Sequence, residues 1–74
     1  MARLIRLDRT GHTELADWTA GDQESHSHAA SIFKAQLAGG YMGVAQLEDG
    51  SLEQVKELPA GVDLVMLRRP IAGG

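Results

Sequence analysis

Apolar residues recur along this chain with two different spacings, and the clearer of the two predicts a helix. Residues 24–38 contain no glycine or proline, and within them Ala29, Phe33 and Leu37 recur every fourth residue. That spacing places all three side chains on one face of an α-helix. The same face is widened by Ala30, Ile32 and Ala35.

The predicted helix has the expected residues at both of its ends. Asp22 and Ser25 are the two candidates for the residue that caps the first turn, because a short polar side chain accepts bonds from the free backbone N–H groups there. The pair Gly39-Gly40 follows the last apolar residue of the face. We expect these glycines to end the helix in the left-handed conformation.

Five shorter segments have the apolar pattern of β-strands. Residues 2–8 place Leu4 on one side and Ile5 and Leu7 on the other, which is typical of an inner strand. The most apolar strand is expected in the middle of the sheet, and a polar one is expected at an edge. The predicted strands are residues 2–8, 12–18, 41–47, 52–58 and 62–67, of which 62–67 is the most apolar and 52–58 the most polar.

Glycine-bearing turns separate these segments and fix their order as strand, strand, helix, strand, strand, strand. The clearest turn is Asp49-Gly50, a pair favoured in tight hairpins. Because sheet crossovers are right-handed, the first and last strands are expected to lie side by side in parallel with the helix across them. The prediction is an α+β fold with one helix on a mixed four- to five-stranded sheet, similar to the β-grasp (ubiquitin-like) layout.

Length and composition restrict the classes of function. With 74 residues, no cysteine and a net charge of −3, the chain forms one small domain without disulfides or thiolate chemistry. A deep active-site cavity does not fit in such a domain, so we expect a carrier or binding protein and no enzyme. The mild negative charge disfavours nucleic acid as a partner. No apolar run is long enough to suggest a signal peptide or a membrane span, which predicts a cytoplasmic protein.

The end of the chain is the most distinctive part of the sequence. Residues 1–67 are predicted to be the domain and residues 68–74 an exposed tail. The tail consists of Arg68, Arg69, Pro70, Ile71, Ala72, Gly73 and Gly74. Proline cannot continue the strand ladder, and glycine has no Cβ, so a terminal Gly-Gly is able to enter a narrow channel in another protein. The two arginines suit an acidic groove at the mouth of that channel.

Residues 44–74, and above all the final five, resemble the sulfur-carrier proteins related to ubiquitin. That group includes the small subunit of molybdopterin synthase and the thiamine-pathway carrier. Its members end with an apolar strand, proline, a small aliphatic residue and Gly-Gly. The resemblance implies that the carboxylate of Gly74, next to Gly73, is adenylated by an activating enzyme or large-subunit partner. That enzyme uses ATP and magnesium, and the carrier itself holds no cofactor. Thiolation and protein conjugation both remain open.

Other interpretations of the sequence lead to different expectations. A structural component of a phage or a multi-subunit complex, whose tail lies along a neighbouring copy, is the main alternative function. His26 and His28 point in different directions on a helix, so we expect no metal site there. Nearby serines lack a motif for nucleophilic catalysis, and we expect no catalytic residue.

Large apolar side chains outside the helix raise a second question, namely which of them belong to the core. Trp18 is expected to seal an edge of the core rather than to lie exposed. Leu4, Met42 and Val44 are candidates for an apolar surface patch that contacts a partner, because the sequence does not determine which sheet face is covered.

Overall fold

The computed structural model describes residues 1–69, which form an α+β fold with one helix on a mixed five-stranded sheet. The order of elements is the predicted one, while several boundaries differ by a few residues. The elements are β1 (Ala2–Asp8), β2 (Gly11–Trp18), α1 (Gln23–Ala38), β3 (Met42–Gln46), β4 (Leu52–Val55) and β5 (Leu64–Arg68).

The strands lie in the order β2-β1-β5-β3-β4. β1 and β5 are parallel, whereas the pairs β1–β2, β3–β5 and β3–β4 are antiparallel. The predicted parallel pairing of the first and last strands is therefore confirmed, as are the central position of β5 and the edge position of β4. β5 extends through Arg68, which pairs with Met42, so the final strand includes the first residue that had been assigned to the tail.

Helix α1 begins at a true cap and ends at the glycine pair. The side chain of Asp22 accepts a hydrogen bond from the backbone N–H of Glu24 at 3.2 Å, which decides the cap between the two candidates. At the other end only Gly40 has positive φ, at 99°, whereas Gly39 is at −83°. The helix therefore ends at the glycine pair as predicted, with Gly40 as the left-handed residue. In the described residues, no helix combines the length and the apolar character needed to cross a membrane.

The core lies between α1 and one face of the sheet. Phe33 and Ala29 are the fully buried residues of the helix, and the predicted apolar stripe holds except at Ala35, which is exposed. Phe33 packs directly over Gly43 of β3. A Cβ added at Gly43 would lie 2.5 Å from Phe33 Cε1. The remaining buried members of this core are Ala2, Leu4, Trp18, Ala45, Leu58, Val65 and Leu67.

A β-bulge in β2 changes the predicted pattern of that strand. Leu4 pairs with Ala16, but the next residue, Ile5, pairs with Glu14, so Leu15 is an extra residue on β2. Strict alternation along residues 12–18 would place Glu14, Ala16 and Trp18 on one face. The bulge reverses the alternation, so that Ala16 and Trp18 face the core while Glu14 faces the opposite side.

Trp18 and His26 hold the loop before β5 against the start of the helix. Trp18 is buried as predicted, and its indole N–H donates a hydrogen bond to the carbonyl of Ala60 at 3.3 Å. His26 packs edge-on against the indole, with ring centroids 6.1 Å apart, and its Nε2 lies 2.8 Å from the carbonyl oxygen of Leu58. The bond requires the tautomer with a proton on Nε2. His26 is therefore a structural residue.

His26→Ala is expected to lower the free energy of unfolding by about 1 kcal/mol, because it removes one partly buried hydrogen bond and leaves the Leu58 carbonyl without that donor. The matched control is His28→Ala, which removes an exposed imidazole one half-turn further along the same helix. Urea titration of both variants measures the difference. Equal stabilities would show that the His26 bond contributes nothing.

Candidate docking surface at the end of the last strand

Three strands bring their ends together at one edge of the sheet. β1 and β5 are parallel, so their carboxyl ends lie side by side, and β3 starts at the same edge because it is antiparallel to β5. β5 ends at Arg68, so Arg69, the last described residue, lies at this edge beside Tyr41 and the β1–β2 turn. The predicted attachment site at Gly74 and Gly73, and the rest of the tail from Pro70, lie outside the described residues.

Two arginines stack on one aromatic ring at this edge. The guanidinium carbon of Arg69 lies 5.3 Å from the centroid of the Tyr41 ring, and that of Arg6 lies 5.7 Å from it. Each contact is close enough for a cation–π attraction of about 0.5–1 kcal/mol at an exposed site. We call Arg6, Tyr41 and Arg69 the arginine–tyrosine cluster. It attaches the first residue after β5 to the residue that precedes β3.

The positive charge of the cluster is only partly balanced. The Nε atom of Arg6 lies 3.6 Å from a carboxylate oxygen of Asp8, which is an ion-pair distance but too long for a hydrogen bond. Among residues 1–69 this Nε is a buried donor with no hydrogen-bond partner. Unsatisfied buried donors are rare in folded proteins. The guanidiniums over Tyr41 make the edge suitable for a carboxylate or another anion.

A cleft of about 400 Å³ opens beside the cluster. It is lined by Leu7, Asp8, Arg9, Tyr41 and Arg69. Its lining combines an aromatic ring, an aliphatic side chain and two guanidiniums, with one carboxylate among them. Such a cleft favours a ligand that carries both negative charge and apolar surface.

The sheet face opposite the helix is the second part of the candidate surface, and we call it the open face. Its centre is a row across three strands in which Ile5 pairs with Met66 and Met66 pairs with Val44. No helix of residues 1–69 lies on this side, yet Ile5 and Val44 are only 8 % and 7 % exposed, so flanking side chains provide their cover. The other apolar residues of the open face are Leu7, Met42, Leu52 and Leu64.

An apolar face on the solvent side of a small sheet is unusual, because such faces are normally polar. Leu7 is 40 % exposed and Leu52 is 59 % exposed, so two large side chains lie open to water at the margins. Two flexible methionines, Met42 and Met66, lie between them, and methionine is common at adaptable binding surfaces. Three residues were predicted for an apolar patch, and two of them, Met42 and Val44, belong to the open face. The prediction for Leu4 was wrong, because Leu4 faces the helix and lies in the core.

The residues considered for metal binding and for catalysis lie near the start of α1. Among residues 1–69, no three His, Cys, Asp or Glu side chains are grouped so that they share an ion. The Ser25 hydroxyl bonds the carbonyl of Asp22 and accepts a bond from the N–H of Thr19, which makes it part of the helix start.

Comparisons with family models, with curated proteins and with solved structures give no match to this chain.

The structure brings together residues that the sequence analysis treated separately. Arg69 was predicted to guide docking, and the structure places it in the cluster, while Arg68 lies on the last position of β5. Arg6 and Tyr41 were not predicted as partners of the tail. Their positions in the sequence carried a signal. Arg6 lies two residues before the end of β1 and Tyr41 directly before β3, and the parallel pairing of β1 with the last strand was expected.

Proposed function

We propose that this protein is a carrier or modifier with a β-grasp fold, and that its Gly74 carboxylate is the group on which a partner enzyme acts. The supporting observation is the parallel pair of β1 and β5 within the order β2-β1-β5-β3-β4, with one helix on one face. That arrangement brings Arg69, the last described residue, to the edge of the sheet that carries the arginine–tyrosine cluster. The start of the tail and a docking surface thus coincide.

The composition of the tail supports the same proposal. Pro70 prevents the ladder from continuing, and Ile71 sets the direction in which the chain proceeds. Ala72, Gly73 and Gly74 have little or no side chain, so a narrow channel that excludes other residues admits them. A terminal carboxylate delivered in this way reaches a nucleotide bound deep inside a partner.

The proposed reaction takes place on the partner enzyme. An oxygen of the Gly74 carboxylate attacks the α-phosphorus of magnesium-bound ATP, and pyrophosphate leaves, which forms an acyl adenylate. The sulfur of a hydrosulfide ion, or the amine of an acceptor protein, then attacks the carbonyl carbon, and AMP leaves, which gives a thiocarboxylate or an amide. A persulfide on the partner enzyme gives an acyl disulfide in the same step, and a second thiol of the partner then cleaves its S–S bond, which releases the thiocarboxylate and leaves a disulfide on the partner. This chain supplies the carboxylate and the docking surface and holds no cofactor of its own.

Docking in this proposal uses the charges next to the tail. Arg68 and Arg69 contact acidic residues at the channel mouth, and Arg6 and Tyr41 hold Arg69 in place before the partner arrives. Preorganised side chains lose less conformational entropy on binding, which strengthens association. The open face supplies the apolar contact area.

Addition of one serine after Gly74 is expected to abolish the reaction, because it moves the carboxylate and adds a side chain where the channel admits none. The full chain is incubated with a candidate adenylating enzyme, ATP and magnesium. Intact-mass spectrometry then detects the exchange of one oxygen for sulfur, or a peptide with an isopeptide bond at Gly74. The matched control carries the extra serine at its amino terminus and retains full reaction.

The intact mass of the unreacted protein also tests the premise that Gly74 has a free carboxylate. If the variant extended after Gly74 reacts as fast as the unmodified chain, the carrier proposal is wrong.

The second candidate is an assembly protein that docks through its surface and performs no chemistry at Gly74. The apolar open face favours it, because a large apolar surface is characteristic of a protein–protein interface. The same mass experiment separates the two candidates, since an assembly protein gives neither adduct and tolerates the added serine.

A further inference from the structure

The turn between β3 and β4 is a rigid, acidic projection. The backbone N–H of Leu47 bonds the carbonyl of Ser51 at 2.8 Å, and that of Gly50 bonds the carbonyl of Leu47 at 2.9 Å. Gly50 has φ of 86°, which this turn requires. Glu48 and Asp49 are exposed at its tip. The turn is therefore preorganised to present two carboxylates.

Hydrogen bonds within the turn also favour the charged form of Asp49. The hydroxyl of Ser51 donates to Asp49 Oδ1 at 2.6 Å, and the backbone N–H of Ser51 donates to the same oxygen at 2.9 Å. These two bonds, the hydroxyl bond first, hold the pKa of Asp49 below its ordinary value. Apolar side chains flank the acidic tip, since Leu47 is half-buried and Leu52 is 59 % exposed.

The acidic turn and the cleft beside the arginine–tyrosine cluster lie at opposite ends of the sheet. β3 starts at the edge where β5 ends, and it runs the other way, so its carboxyl end carries the turn to the far edge. Asp63, which precedes β5, lies at that far edge and lines the same depression as Glu48. The molecule thus has a basic end and an acidic end along the strand direction.

We propose that the acidic turn of a second copy of this chain docks in the cleft. The cleft has three guanidiniums around it, from Arg6, Arg9 and Arg69, and one carboxylate, Asp8. Its excess of two positive charges equals the two negative charges of Glu48 and Asp49 at the tip. The apolar parts match as well, because the cleft offers Leu7 and Tyr41 where the turn carries Leu47 and Leu52.

A nucleic acid or a free phosphate matches the cleft less well than this turn does. The carboxylate of Asp8 lies in the lining, and its ion pair with Arg6 already uses part of the positive charge. The remaining excess matches two carboxylates but not a polyanion, and a free phosphate has no apolar part to contact Leu7 and Tyr41. The chain as a whole carries a net charge of −3, which opposes a polyanion.

Docking of this kind is heterologous, because the two copies contribute different surfaces. Each copy keeps one free turn and one free cleft, so association continues from copy to copy with the strands in the same direction. The contact area of one turn is small, and the attraction is largely electrostatic. We therefore expect weak association that salt suppresses. This association uses residues of the described part of the chain and requires no reaction at Gly74. Arg69 takes part both in the cleft and in the proposed contact with the partner enzyme, so the two contacts compete.

Sedimentation equilibrium of the full chain tests the proposal. We expect the weight-average mass to rise between about 10 µM and about 1 mM protein in about 0.02 M salt, and to stay at the monomer value in about 0.5 M salt. Glu48→Gln, and separately the pair Arg9→Gln with Arg69→Gln, should each weaken the association at least about tenfold. The matched controls, Glu57→Gln and the pair Lys34→Gln with Lys56→Gln, remove the same charges elsewhere and should associate normally.

A mixture of the two deficient variants gives the sharpest result. The Glu48→Gln chain keeps an active cleft, and the double arginine variant keeps an active turn, so the mixture should form dimers and nothing larger. Three results would overturn the proposal. They are a monomeric mass at every protein concentration, equal effects of the control and the test substitutions, and assemblies larger than dimers in the mixture. Titration with inorganic phosphate or with a short oligonucleotide, followed by amide NMR shifts, gives a further test. Binding of either ligand at Arg9, Tyr41 and Arg69, in a protein that does not self-associate, would also overturn the proposal. Because the Gly74 reaction is read by mass, failure here and failure of the carrier proposal are separate results.

Discussion

We expect Phe33→Ala to lower the free energy of unfolding by about 3–5 kcal/mol, which is the typical cost of removing a fully buried aromatic ring. Phe33 is 0 % exposed and fills the space between α1 and β3. A domain of this length has a total stability of roughly 4–11 kcal/mol, so the variant approaches the limit of folding. Urea denaturation followed by the fluorescence of Trp18, the single tryptophan, measures the change.

Lys34→Ala is the matched control, since it truncates the exposed neighbour on the same helix turn and should change stability by less than about 0.5 kcal/mol. A double-mutant cycle with Gly43→Ala tests the packing itself. In the native background that added methyl group meets the Phe33 ring and should cost about 1–3 kcal/mol. With Phe33 already replaced by alanine, the same methyl group should cost less or stabilise. Simple additivity of the two substitutions would contradict the close contact.

Trp18→Ala is expected to have an effect of similar size, about 3–5 kcal/mol. Trp18 is 1 % exposed, and it packs beside His26 and bonds the carbonyl of Ala60, so its loss leaves a cavity and frees the loop before β5. Because the variant lacks the fluorescent residue, far-ultraviolet circular dichroism in urea is the appropriate measurement.

Trp18→Phe separates the two contributions at this position. It keeps most of the apolar volume and removes the hydrogen bond, so it should cost clearly less than the alanine variant. Hydrogen exchange at residues 58–63 should rise in Trp18→Ala and remain nearly native in Trp18→Phe. Unchanged exchange in both variants would show that the indole does not hold this loop.

The two faces of the sheet differ in what lies against them, since the helix packs on one of them. The core residues Leu4, Val65 and Leu67 pack toward the helix. Their neighbours along the strands point to the opposite side, so Ile5, Val44 and Met66 lie on the open face. Substitutions at the centre of the open face are therefore expected to affect partner binding as well as stability. Exposed charges such as Arg9 and Glu48 are better probes of docking, because their replacement leaves the core intact.

Much of the fold was predictable from local sequence. The helix, the Asp49-Gly50 turn and the end of the helix at the glycine pair are encoded within a few neighbouring residues, where capping and turn preferences act. The burial of Trp18 also followed from its type. The parallel pairing of β1 and β5 was predictable because the handedness of crossovers leaves few arrangements for this order of elements.

The bulge at Leu15 and the arginine–tyrosine cluster were decided only by the tertiary structure. Alternation along β2 is a local rule, but the register of β2 against β1 depends on which side chains both strands bury, and one extra residue reverses the faces. Arg6, Tyr41 and Arg69 are far apart in sequence and meet because three strand ends share one edge. Local preferences therefore determined which helices and strands form. The pairing of strands determined which charges meet and which apolar face remains open, and only the tertiary structure decides that pairing because register is set by packing of the whole chain.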